Sequence, residues 1–156
     1  MSLPSVTCRG EGLPRFAKVL PLVAMLAAGT ACLPAAAEPA EGRLTIQLNK
    51  AETIAGSCRI TLVARNGMAG DLAGLGLDLV VFDKASAVVG YAAIDIGVLP
   101  EGKTRVRQYD VATSECSAID GILVNEVRHC GSPDAPSASC QSALSVSSRS
   151  EIDFFL

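Results

Sequence analysis

Leu44-Thr45-Ile46-Gln47-Leu48-Asn49 alternates apolar with polar side chains, and Cys58-Arg59-Ile60-Thr61-Leu62-Val63 repeats the alternation beyond the turn residues Ala55-Gly56-Ser57. Successive side chains leave a pleated strand on opposite sides, so a period of two marks an extended strand with one buried face. The second run stops at Asn66-Gly67, a turn signal. Two neighbouring short strands of this kind predict a β structure.

The pattern continues toward the C-terminus. Leu75, Leu77, Leu79 and Val81 alternate with Gly76, Asp78 and Val80, which predicts a third and most apolar strand. Phe82-Asp83-Lys84 closes it, and Val88-Val89 opens another that passes through Tyr91 to Ile94, Ile96 and Val98. Leu99-Pro100-Glu101-Gly102-Lys103 breaks the chain, because proline lacks a ladder donor and glycine accepts unusual dihedrals. The run from Thr104 to Val111 has Arg105, Arg107 and Tyr109 on one face and Thr104, Val106 and Gln108 on the other. Neither face is strongly apolar, so this is predicted as an edge strand whose arginines discourage sheet-to-sheet association. The same three residues are the candidate interaction edge, suited to an anionic or carbohydrate partner.

A turn or single helical turn around Cys116–Ile119 leads to a strand over Ile122–Val127. The tail from Ser142 to Leu156 alternates weakly, with Leu144 and Val146 and then Ile152, Phe154 and Phe155, either as a seventh strand or as a partly ordered tail. Six or seven strands separated by turn residues, with no long amphipathic helix, predict an all-β fold: an antiparallel, immunoglobulin-like β-sandwich, disulfide-bonded. No tryptophan lies between the cysteines, so the strand pattern alone supports this.

Toward the N-terminus the composition changes. Arg9, Arg15 and Lys18 precede an apolar run from Val19 to Leu33, followed by Ala35-Ala36-Ala37 and Glu38. Basic, then apolar, then small residues is the order of a secretory signal. Residues 1–37 are expected to be a cleaved signal peptide and 38–156 a single β-sandwich domain, with 131–156 a disulfide-clipped loop and tail. The apolar run is interrupted by Pro21 and Gly29 and is shorter than the roughly 20 residues of a permanent span, so no membrane span is expected after cleavage. Gly29-Thr30-Ala31-Cys32 offers an alternative, lipidation at Cys32 and a membrane-tethered lipoprotein, although Gly29 stands where such a signal wants leucine. The expected location is the periplasm.

Of the 16 acidic and 13 basic residues, Glu11 and the three leader cations depart with residues 1–37. Ten basic and fifteen acidic side chains remain, net −5, a balance that disfavours nucleic acid or an anionic membrane as partner. Removing Cys8 and Cys32 with the leader keeps Cys58, Cys116, Cys130 and Cys140. Four cysteines in an exported chain predict two disulfides, with three pairings open. Cys58 with Cys116 and Cys130 with Cys140 is favoured, since Gly131, Pro133 and Pro136 let the second loop turn back. No Cys-x-x-Cys pair is present, which argues against zinc and against a thioredoxin-like motif.

His129 is the sole histidine, it sits beside a disulfide cysteine, and no Gly-x-Ser-x-Gly elbow accompanies it. A surface or structural role is therefore preferred. Asp78 and Asp95 fall on outward positions of apolar strands, where solvent exposure is the ordinary reason for a carboxylate. Gly74-Leu75-Gly76 lacks the third glycine of a dinucleotide loop. No catalytic, cofactor or metal residue is assigned, and no cofactor is expected.

The blocks Leu44 to Lys50, Leu77-Asp78-Leu79-Val80-Val81-Phe82-Asp83, Leu99 to Arg107, Ile122-Leu123-Val124-Asn125-Glu126-Val127 through Cys130, and Ser147-Ser148-Arg149 resemble a group of uncharacterised exported proteins of Gram-negative bacteria. These are often labelled twin-arginine (Tat) pathway signal sequence domain proteins. This chain departs from the label in having no arginine pair before its apolar run, which favours the general secretory route. A looser resemblance is to immunoglobulin-like envelope modules, in which an apolar strand ending in Phe-Asp precedes a hairpin and a Pro-x-Gly-x-Thr turn. The resemblance implies a family and no chemistry. The expectation is a non-enzymatic binding, adaptor or accessory module with an envelope protein as partner. An envelope hydrolase and a self-associating structural protein are the alternatives.

Overall fold

Alternation puts Leu44, Ile46 and Leu48 of β1 (Leu44–Ile54) on the same face as Cys58, Ile60, Leu62 and Ala64 of β2 (Ser57–Asn66), and all seven are fully buried. The two strands pair antiparallel from Leu44↔Asn66 to Ile54↔Ser57. Their two-residue connection has positive φ at both Ala55 (49°) and Gly56 (80°), the backbone hand that matches strand twist in tight hairpins. The computed structural model describes residues 42–131 and 138–156. The expected signal peptide, its cleavage site and Cys32 lie outside the described residues.

After β2 the chain forms β3 (Leu75–Asp83), β4 (Val88–Asp95), β5 (Thr104–Ala112), a 3-10 turn at Cys116–Ala118 and β6 (Ile119–Cys130). The short α1 (Ala138–Ala143), β7 (Leu144–Ser148) and β8 (Asp153–Phe155) complete it. The strands build two four-stranded sheets, ordered β5-β2-β1-β7 and β4-β3-β6-β8. Leu75, Leu77, Leu79 and Val81 of β3 and Ile122, Val124 and Val127 of β6 join the buried residues of β1 and β2 in one apolar cluster. Two sheets each buried on one face thus share one core.

The all-β class is as predicted, and the strand count and pairing differ from expectation. There are eight strands, and two of the pairings are parallel: β1 with β7, from Leu44↔Leu144 to Leu48↔Ser148, and β6 with β8, from Gly121↔Asp153 to Leu123↔Phe155. The path of the chain after β6 accounts for both. Cys130 ends β6 and is joined to Cys140 in α1, so the returning chain starts from the far end of β6 and crosses to the other sheet before coming back. A parallel pair needs such a crossover. The turn between β7 and β8 is held by its serines: Ser148 Oγ donates to the Ile152 carbonyl at 2.7 Å and accepts from Ser150 N at 3.1 Å. Ile152 and Phe154 are thereby set into the core.

The first disulfide joins Cys58 on β2 to Cys116 ahead of β6, 58 residues apart, and so links the two sheets. At the opposite face of β2, Arg59 and Asp110 meet through two hydrogen bonds, Nε to Oδ1 at 2.7 Å and Nη2 to Oδ2 at 2.9 Å. The bond from Arg59 holds the Asp110 carboxyl below its usual value, against a smaller opposing effect of burial. A carboxyl whose native pKa is depressed contributes stability that is present above its unfolded pKa and lost as pH falls through the native value. Asp110→Asn is therefore expected to flatten the acid limb of the stability profile, read as urea midpoints measured from neutral pH downward.

Candidate functional site

The outer face of the second sheet is organised in rows that the strand register defines. Tyr91 on β4, Val80 on β3, Leu123 on β6 and Phe155 on β8 stand opposite one another in a single row across all four strands. Val80 is 7% exposed yet belongs to the outer face and not to the core cluster, while Tyr91 is 78% and Phe155 41% exposed. The row beside it contains Val88, Phe82, Gly121 and Asp153. Phe82 and Phe155 stack with centroids 6.2 Å apart. Gly121 permits this, because a β-carbon there would lie 2.9 Å from Phe155 Cε1. A groove of about 240 Å³ lined by Phe82, Ser86, Asp120, Gly121, Asp153 and Phe155 opens at this end.

The other half of the same face is charged. Asp78 pairs in register with Ala93 and Glu126, and Gly76 with Asp95 and His129. Arg128 Nε lies 3.1 Å from Asp78 Oδ1, and its Nη2 donates to the Ile94 carbonyl at 3.1 Å. His129 lies over Gly74 and Gly76, where a β-carbon at Gly76 would collide with its ring, and its Nε2 is 3.9 Å from Asp95 Oδ1. The glycines noted for their partial likeness to a dinucleotide loop are the bed for this imidazole. Among the described residues, no group of three or more histidine, cysteine or acidic side chains could hold a metal ion.

Arg105, Arg107 and Tyr109 line the edge where the two sheets meet. In register they stand beside Ala64, Leu62 and Ile60, on the inward face of β5. Tyr109 Oη donates to the Asp95 carbonyl at 2.6 Å and Arg105 Nη1 to the Ile96 carbonyl at 3.4 Å, so both side chains reach the end of β4. Burial raises the Tyr109 pKa above its ordinary value, opposed by Arg107. Gly97 receives the guanidinium groups; a β-carbon there would be 3.2 Å from Arg105 Nη1 and 3.9 Å from Arg107 Nη2. The Arg105 guanidinium is thus held at the end of β4, and the Arg107 side chain is exposed.

The apolar row was not legible as a site, because Val80, Leu123 and Phe155 are distant in sequence and each sits in a run that reads as core. The signal available was the unbroken apolar Leu79-Val80-Val81-Phe82, in which one parity had to face outward. Comparison with protein-family models, characterised proteins and solved structures gives no match to this chain.

Proposed function

We infer that the chain is a non-enzymatic binding, adaptor or accessory module of the bacterial envelope, exported to the periplasm, and that it presents the outer face of its second sheet to a protein partner. The apolar row Tyr91-Val80-Leu123-Phe155, flanked by Phe82 and Val88 and bordered by charge, carries this reading. An apolar patch rimmed by polar groups is the usual form of a protein docking surface. Two disulfides suit an oxidising compartment.

The immunoglobulin-like reading of the sandwich draws support from the strand order. The first, second and fifth strands share one sheet, the third, fourth and sixth share the other, and a disulfide links the start of β2 to the entry of β6. Domains of this architecture commonly engage partners through a sheet face or edge.

Crosslinking in intact envelopes followed by affinity recovery tests the reading. Wild type is expected to bring down a reproducible neighbour, Phe155→Ser to lose it, and Val106→Ser, an exposed change on the opposite sheet, to keep it. A wild-type protein with no neighbour, or one whose neighbour survives Phe155→Ser, overturns the proposal.

A further inference from the structure

Strand β4 ends its sheet and has β3 as its one ladder partner. Ile96 N donates to the Leu75 carbonyl at 2.8 Å, and in an antiparallel pair the bonded positions recur every second residue. Ile94, Ala92 and Gly90 therefore bond to β3, and the N–H and C=O groups of Tyr91 and Ala93 point to the free edge. The Asp95 carbonyl shares that parity and accepts Tyr109 Oη, which agrees with it.

From Val88 to Ile94 the strand has no charge and no proline. Folded proteins usually blunt an exposed edge with such residues. The other three edges of the sandwich are blunted: β5 has Arg105, Arg107 and Asp110, while β7 and β8 span five and three residues. Val88, Val89 and Tyr91 are 45%, 47% and 78% exposed. β4 is thus the one long edge left open to strand addition among the described strands.

The two ends of β4 differ in charge. Asp83, Lys84 and Asp120 surround the turn before it, with Lys84 Nζ 3.2 Å from Asp120 Oδ1, leaving one carboxylate in excess. Arg105 and Arg107 lie at Gly97, just past its end, against the single carboxylate of Asp95, leaving a basic excess. An antiparallel arrangement of two identical edges brings the acidic end of each to the basic end of the other.

We propose that two copies of this chain associate through β4 about a two-fold axis at Ala92, each Tyr91 exchanging backbone hydrogen bonds with Ala93 of the second copy. The result is a continuous eight-stranded sheet in which the two apolar rows adjoin at Tyr91. A two-fold contact between identical patches closes on itself and adds no further copies. The proposal stands apart from the partner reading, since it uses the edge and not the face.

Sedimentation equilibrium of the purified protein tests it. Wild type is expected to dimerise reversibly. Ala93→Pro removes an edge-directed donor while sparing the β3 ladder, where proline is tolerated, and is expected to weaken the dimer about tenfold or more with the monomer's thermal midpoint and circular dichroism retained. Arg107→Glu and Asp120→Lys are each expected to be monomeric alone and to pair when mixed, because each restores the charge the other reversed. A wild-type protein that is monomeric across its soluble range overturns the proposal, as does a dimer indifferent to Ala93→Pro. A mixture that pairs no better than its components also overturns it.

Discussion

Replacing Cys58 and Cys116 together by alanine is expected to lower the unfolding free energy by about 4 kcal/mol, from the chain-entropy model applied to their 58-residue separation. The same bridge ties β2 in one sheet to the entry of β6 in the other. Without it the unfolded chain regains the freedom of that loop, while the native packing around fully buried Cys58 changes by little more than the loss of sulfur. Domains of this size are stable by about 5 to 15 kcal/mol in total, so the loss is a large share. Urea denaturation of the oxidised wild type and the double variant reads it directly, and a rise in m-value would show the expected expansion of the denatured state. Removing Cys130 and Cys140 instead frees a loop with a separation of only 10 residues, for which the same model gives a smaller effect.

The strands whose apolar residues alternate cleanly were legible: β2 and the first half of β1 bury one parity and leave the other partly exposed, and a period of two needs nothing beyond neighbouring residues to be seen. The parallel pairings were not, because they depend on where α1 and the Cys130–Cys140 bridge deliver the chain, which no local pattern encodes. The last three strand residues, Asp153-Phe154-Phe155, were too few to distinguish from a tail, although they divide their aromatic rings between the core and the outer face. The candidate site suffers the same way. Tyr91, Val80, Leu123 and Phe155 are aligned by register alone, and a register is a property of pairs of strands. Arg105, Arg107 and Tyr109 were recognised as sharing one face of an edge strand, whereas their reach across to the Asp95 and Ile96 carbonyls follows from the convergence of the two sheets at Gly90 and Val111.

Asn66 is the second position where a large effect is expected, and its sequence context, Asn-Gly at the end of a strand, announces only a turn. It is fully buried, the sole polar side chain so placed among the described residues. Its Nδ2 donates to the Gly70 carbonyl at 2.8 Å and to the Leu99 carbonyl at 3.1 Å, and its Oδ1 accepts from Met68 N at 3.0 Å. Its backbone completes the knot, accepting from Gly102 N at 2.8 Å and donating to the Lys103 carbonyl at 3.0 Å. The residue thus ties the end of β2 to the turn that launches β5, and with it the arginine edge. Asn66→Ala leaves the part-buried Gly70 carbonyl and Met68 N–H without these bonds, while the Leu99 carbonyl keeps Leu72 N at 3.0 Å; at roughly 1 to 3 kcal/mol for each group so left the expected loss is about 2 to 4 kcal/mol once partial relaxation is allowed. Asn66→Asp discriminates between packing and hydrogen bonding as the cause, because its volume is nearly the same. At neutral pH a buried carboxylate would face the Gly70 and Leu99 oxygens with no proton to offer, so Asn66→Asp is expected to be less stable than Asn66→Ala. Acidification lets the carboxyl donate to one of those oxygens, and the gap between the two variants should then narrow. Urea midpoints at neutral and acid pH measure it. Equal losses at both pH values would mean that Asn66 acts through its volume alone, and that the β2 end and the β5 turn are joined by packing and not by these bonds.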